Sequence, residues 1–119
     1  MPYMLLIHEP VGQRQQRGPE QGQAVYQRML DFAGELKRQG KLLAVESLAS
    51  QDQAVRVTAH TPERKPQLLD GPFAEAKEMV GGFFLLDVAT REEAVAIAAR
   101  CPAAEWATIE VRPTAPCYT

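Results

Sequence analysis

The chain is 119 residues long, 45% hydrophobic and 24% charged, with a formal net charge of −2. That length fits one domain, which can bury enough surface to fold without disulfide or metal staples. So small a net charge gives too weak a field for nucleic acid or an anionic membrane, and no apolar run approaches the ~20 residues that span a bilayer.

Residues 3–8 form an apolar run of strand length, stopped by Glu9-Pro10-Val11-Gly12. No basic segment or cleavage-site pattern marks this end of the chain, so a cytoplasmic location is expected. Residues 12–23 are rich in Gln, Gly and Arg and read as a loop. From about Gln21 the pattern turns helical, with Val25, Met29, Phe32 and Leu36 on one stripe beside Ala33. Lys37 and Arg38 in the last turn oppose the helix dipole, and Gly40 suits the residue after the end. Residues 42–48 and 54–59 read as two strands joined in a hairpin, followed by a polar crossing over 60–69 with Pro62 and Pro66. Residues 79–88 form the strongest strand. Its Gly81-Gly82 precedes apolar strand residues, which predicts a bulge or a close backbone approach and not a phosphate loop. Thr90-Arg91-Glu92-Glu93 is a capping box opening a second helix, whose stripe is Ala94, Ile97, Ala98 and Cys101 and which Pro102 ends. Residues 107–111 are a last strand. With the 42–59 hairpin counted as one unit, the order β-α-β-β-α-β predicts a single α+β domain over 1–119, ferredoxin-like, with two helices on one face of an antiparallel four-stranded sheet.

Two helices cover only one face of such a sheet, and a strand with a wet face should alternate apolar and polar. The first strand instead has Tyr3, Leu5 and Ile7 on one side and Met4, Leu6 and His8 on the other. The fourth has Phe83 and Leu85 opposed by Val80, Phe84, Leu86 and Val88. Both faces are apolar, and a second copy of the same sheet is the simplest cover for the open one, so a homodimer is expected. Glu110 and Arg112 oppose Ile109 and Val111, Arg56 opposes Val55 and Val57, and Glu46 opposes Val45. If these polar residues share the open face with His8, they line a cleft for a small ligand.

Asp70-Gly71-Pro72-Phe73 is a stiff turn into the strongest strand. Asp70 can bond nearby backbone, Gly71 takes angles other residues resist, and Pro72 fixes its own φ and biases Gly71 toward extended geometry. Phe73 can then anchor the turn, holding the carboxylate at a defined place. As local chemistry this is a structural turn as readily as a functional one.

The run from 70 to 83, Asp70-Gly71-Pro72-Phe73-Ala74-Glu75-Ala76-Lys77-Glu78-Met79-Val80-Gly81-Gly82-Phe83, closely resembles the signature of the DGPF branch of YCII-related proteins. The resemblance extends to Tyr3-Met4-Leu5-Leu6-Ile7, Arg91-Glu92-Glu93-Ala94 and Glu110-Val111-Arg112-Pro113. It implies a ferredoxin-like fold assembled as a dimeric α/β barrel. It also implies a cleft with a histidine–aspartate pair, in a family where one branch removes halide from a chlorinated muconolactone. DGPF proteins are often encoded beside extracytoplasmic-function sigma factors, which implies a regulatory setting. Ala76 stands where the family commonly has threonine, and His8 where it commonly has an aromatic residue such as tyrosine.

Three readings follow. The first is a cofactor-independent lyase- or isomerase-like enzyme acting on a small carbonyl or lactone compound, with Asp70 as general base and His8 as its acid–base partner. Arg112 or Lys77 holds a substrate carboxylate, Glu78 orients one of them, and Phe73 and Arg56 complete the ligand-binding set. The second is a non-catalytic dimer that binds a small molecule and signals to a transcription partner. The third is a structural dimer in which Asp70 only caps backbone. No metal is expected, since His8 and His60 neighbour neither Cys101, Cys117 nor each other, and two thiols make no disulfide framework.

Overall fold

A computed structural model describes residues 2–71 and 76–118. The elements are β1 (Tyr3–Pro10), α1 (Gln13–Gln16), α2 (Pro19–Arg38), β2 (Leu42–Ser47), β3 (Val55–Thr58), β4 (Gln67–Asp70), β5 (Glu78–Leu86), α3 (Arg91–Arg100) and β6 (Thr108–Pro113). A four-stranded sheet runs in the order β2-β5-β1-β6, and every paired neighbour is antiparallel. With the two central strands second and third in that order and α2 and α3 on one face, this is the ferredoxin-like arrangement expected from the sequence.

Two local expectations are corrected. The segment 12–23 is not a loop: it holds α1, and α2 begins at Pro19 with Gly18 as its N-cap. Proline at the first helical position forgoes an N–H that has no helical partner anyway, so Pro19 starts the helix. The hairpin joining 42–48 to 54–59 does not form either. β2 pairs with β5, placing Val45 opposite Phe84 and Ala44 opposite Leu85. β3 instead pairs with β4, which lies inside the supposed crossing, and the two form a separate ribbon. β5 is apolar on both faces and gains most from neighbours on both edges. The four residues of β3 alternate Val and polar and offer less to bury.

The core lies between the helices and one sheet face. Leu5, Leu36, Leu86, Ile97 and Cys101 are almost wholly buried, and each buried Leu or Ile contributes about 1.5–3 kcal/mol. Phe32 of α2 meets Phe84 of β5 edge to face, with ring centroids 5.8 Å apart and planes at 76°. The capping box forms as read: Glu93 N–H donates to Thr90 Oγ1 at 3.2 Å. The ribbon leaves Val55, Val57, Leu68 and Leu69 more than half exposed. Consistent with that, the radius of gyration is 16.5 Å, whereas a compact chain of this length has roughly 13–14 Å. No helix among the described residues is long and apolar enough to cross a membrane.

Candidate functional site

Register fixes which side chains share a face, because directly paired residues point the same way. Leu5, Phe84, Val111 and Val45 form one row toward the helices. Leu6, Phe83, Glu110 and Glu46 form a row on the opposite, uncovered face, flanked by Met4 with Leu85 and by His8 with Val80. The pairing shifts between Ile7 and His8, where Gly81 is the extra residue of β5. This bulge confirms the reading of Gly81-Gly82. It also corrects Val80, which simple alternation puts on the helix side but which lies opposite His8.

On the uncovered face His8 Nε2 lies 2.8 Å from Glu110 Oε1, and Arg112 Nε lies 3.6 Å from Glu110 Oε2. Glu110 joins the two because β6 runs beside β1 and places it diagonally between them. A carboxylate only accepts, so Nε2 is the donor of this contact and Nδ1 is the ring nitrogen that Glu110 does not engage. The histidine is half-buried, paired across the sheet with Val80 on one side and Thr108 on the other, while Arg112 is largely exposed. This is a histidine oriented by an acid beside a cation, on a greasy surface.

The other nominated residues lie elsewhere. Asp70 ends β4 opposite Val55, exposed, and neither a hydrogen bond nor an ion pair joins it to His8. It shares a ribbon face with Val55, Val57 and Leu68. Gly71 adopts φ +89°, a left-handed angle and not the extended one expected before proline, while its N–H donates to the Ala54 carbonyl at 2.7 Å. Left-handed backbone there favours glycine. Phe73 lies outside the described residues. Arg56 sits on β3, half-buried, opposite Leu69. Lys77 accepts the Val11 N–H at its carbonyl, and Glu78 opens β5 opposite Pro10; both side chains are exposed. The sheet therefore brings His8 and Arg112 together and separates them in chain position from Asp70 and Arg56 on the ribbon.

A second feature lies on the helix side. A cleft of about 560 Å³ opens between α2 and the sheet, lined by Tyr26, Met29 and Leu30 of α2, by Val45 of β2 and the adjacent Leu48, and by Phe84. Glu9 and Arg14 also line it, and Glu46 borders it although its register places it in the row of the opposite face; none of His8, Arg56, Asp70, Lys77, Glu78 and Arg112 does. Glu9 is buried, and its Oε1 accepts from Arg14 Nε at 3.0 Å and from Nη2 at 2.5 Å. Arg14 also donates to the carbonyls of Leu48, at 2.8 Å, and Gly81, at 3.3 Å. A Cβ on Gly81 would come within 1.9 Å of Glu9 Oε1, so the glycine makes room for the acid. Beside the cleft the Arg17 and Arg28 guanidinium groups stand 5.4 and 5.6 Å from the Trp106 ring centre, and the exposed Arg28 holds the Glu105 carboxyl below the usual carboxylate range. Burial pushes the Cys101 thiol up, which keeps it an inert core residue, while Cys117 is exposed.

The family model of the YCII-related domain matches residues 1–117. No curated protein matches this sequence. Among solved structures, the chain resembles the 5-chloro-2-hydroxyhydroquinone dehydrochlorinase of Burkholderia phenoliruptrix, solved in complex with 2,5-dihydroxybenzoquinone. The TM-score is 0.56 and the identity 16%, over 97% of this chain and 94% of that one. At that identity the likeness is one of fold.

Proposed function

This chain belongs to the YCII-related family, and on that footing we propose that it is a cofactor-independent, cytoplasmic enzyme of small-molecule metabolism. The proposed reaction is lyase- or isomerase-like, on a small carbonyl or lactone compound. The carrying observation is the His8 ring held 2.8 Å from Glu110 on the apolar sheet face that the helices leave uncovered. With Nε2 oriented by the carboxylate, His8 Nδ1 takes a proton from the carbon beside the carbonyl and returns it in the second half of the reaction. Arg112 supplies the cation for a substrate carboxylate. A homodimer closes the open face and excludes water from it. Asp70 acts as the second proton-transfer group, contributed by the partner's ribbon, whose apolar face of Val55, Val57 and Leu68 suits a greasy sheet.

The test is proton exchange in D2O. A panel of small lactones and hydroxyketones is followed by NMR for deuterium uptake beside the carbonyl. The wild type should catalyse uptake into at least one compound, and His8→Gln should lose it at unchanged melting temperature. An equimolar mixture of His8→Gln and Asp70→Asn chains regains exchange if Asp70 acts across the dimer. Binding without exchange would instead favour the non-catalytic dimer linked to a sigma factor.

A further inference from the structure

A hollow of about 520 Å³ opens at the end of the sheet where β1 stops, between Gln13 of α1 and the segment 105–108. No residue of α2 lines it, and it shares only Trp106 with the cleft on the helix side. Register sets it beside His8. Thr108 pairs directly with His8, and Glu78 with Pro10, two residues further along β1. Both therefore point to the uncovered face, as His8 does. The proposed reaction gives neither of them a part.

Gln13 gives the first sign of what enters. Its Nε2 donates to the Trp106 carbonyl at 2.8 Å. A carbonyl only accepts, so the amide cannot be turned the other way round and Oε1 is the atom left over. Oε1 is buried and accepts from no described residue, and Gln13 lines the hollow. A buried acceptor without a donor costs about 1–3 kcal/mol, so the missing group is a donor. Charge narrows it further. The lining holds two carboxylates, Glu78 and Glu105, and no base. Glu105 accepts from Arg28 on both oxygens, at 3.0 and 2.5 Å. Glu78 has no ion pair among the described residues. A neutral hydroxyl has one hydrogen to offer these two acceptors, whereas an ammonium has three and a charge to set against Glu78.

We propose that this hollow binds an organic ammonium group, whose N–H groups donate to Gln13 Oε1 and to the Glu78 carboxylate while its carbon chain lies against Pro10 and Trp106. The hollow adjoins His8, so the ammonium is the far end of the compound on which His8 acts; that extension rests on the reaction proposed above. Beyond His8 come Glu110 and Arg112, in that order along β6, so the face presents acceptors at one end and a cation at the other. A carboxylate in the hollow meets a like charge, and a hydrocarbon leaves Gln13 Oε1 unpaired.

The experiment titrates the full chain with n-butylammonium, butan-1-ol and butanoate at fixed ionic strength, read by 15N-resolved NMR on the Gln13 side-chain amide and on the backbone of Glu78 and Thr108. Butylammonium should bind saturably and about tenfold more tightly than butan-1-ol, the worth of one charge-assisted hydrogen bond, and butanoate should not bind. Raising the salt should weaken butylammonium and leave butan-1-ol as it was. Glu78→Gln, at an exposed strand start, should cut the preference for the cation by about threefold to fivefold. Thr108→Phe, at an exposed position of an edge strand, fills the hollow and should abolish binding. His8→Gln should leave the titration unchanged. No proton transfer enters this readout, so a chain that selects butylammonium but exchanges no proton overturns the reaction and leaves the site standing. Equal affinity for butylammonium and butan-1-ol, no shift of the Gln13 amide, or binding indifferent to Thr108→Phe would each overturn the proposal.

Discussion

Gly81→Ala is a one-methyl change with a large expected cost. The added Cβ would lie 1.9 Å from Glu9 Oε1, 2.8 Å from Glu9 Cδ and 3.0 Å from Arg14 Nη2. Glu9 cannot simply swing aside, because it is buried and held by two Arg14 nitrogens. If the pair shifts as a unit, the cost is that of overpacking, about 1–3 kcal/mol. If the pair breaks, the cost approaches the roughly 3–5 kcal/mol of an orphaned buried charge. We expect about 2–4 kcal/mol, between those limits. For a chain of this length that is roughly 3–6 °C of melting temperature per kcal/mol. The assay is urea unfolding at fixed protein concentration, read as a change in midpoint at constant slope. A double-mutant cycle isolates the cause. In a Glu9→Ala background the clash partner is gone, so Gly81→Ala should cost less than ~1 kcal/mol there. An equal cost in both backgrounds would refute the steric account and place the effect in the backbone.

Thr90→Ala removes the cap on Glu93 N–H and should destabilise by about 1 kcal/mol in urea unfolding, with α3 fraying first in hydrogen exchange. Glu105 has its carboxyl pKa depressed in the folded state, chiefly by the hydrogen bond from Arg28. Its contribution to stability is therefore present above the ordinary carboxylate range of about 4 and lost as pH falls through the lower folded value. NMR titration should show the Glu105 midpoint rising toward the ordinary range in Arg28→Ala, and an unchanged midpoint would remove the pair as its cause. Leu6→Glu sets a charge in the middle of the uncovered sheet face, beside Phe83. In a dimer built on that face it should weaken association by at least about 100-fold, since two like charges would be desolvated together. Sedimentation at micromolar concentration reads this directly, and a variant that still dimerises as the wild type does would place the interface elsewhere.

Local signals in the sequence carried much of the fold. The capping box at Thr90, the stripe of α2 and the glycine bulge of β5 depend on neighbours within a few residues, and each appears where the pattern places it. Pairings between distant segments were less legible. A loop of ordinary length makes 42–48 and 54–59 look like a hairpin, but β2 finds its partner beyond the ribbon, in β5. The contact between His8 and Glu110 spans 102 residues, and only the register of β1 with β6 creates it. Glu9 and Arg14 were hidden for a similar reason. One lay in what reads as a strand stop and the other in what reads as a loop, and their tie to Gly81 exists only after β1 and β5 have paired. The nearest sequence sign was Gly81-Gly82 itself, since a strand glycine can mark a close approach without naming what approaches.

That bulge links the two faces of the sheet. Successive residues of a strand point to opposite sides, so His8 and Glu9 necessarily serve different surfaces. On one side the extra residue in β5 turns Val80 toward His8, adding an apolar wall to the uncovered face. On the other it sets Gly81, with no side chain, against Glu9 and Arg14 at the end of the cleft. A regular β5 would exchange these environments. Val80 would move to the helix side, where its side chain would crowd the acid, and His8 would lose its apolar neighbour. The insertion of one residue therefore sets the surroundings of both titratable groups at once. A change at Gly81 should be felt on the His8 face even though the substituted atom points away from it.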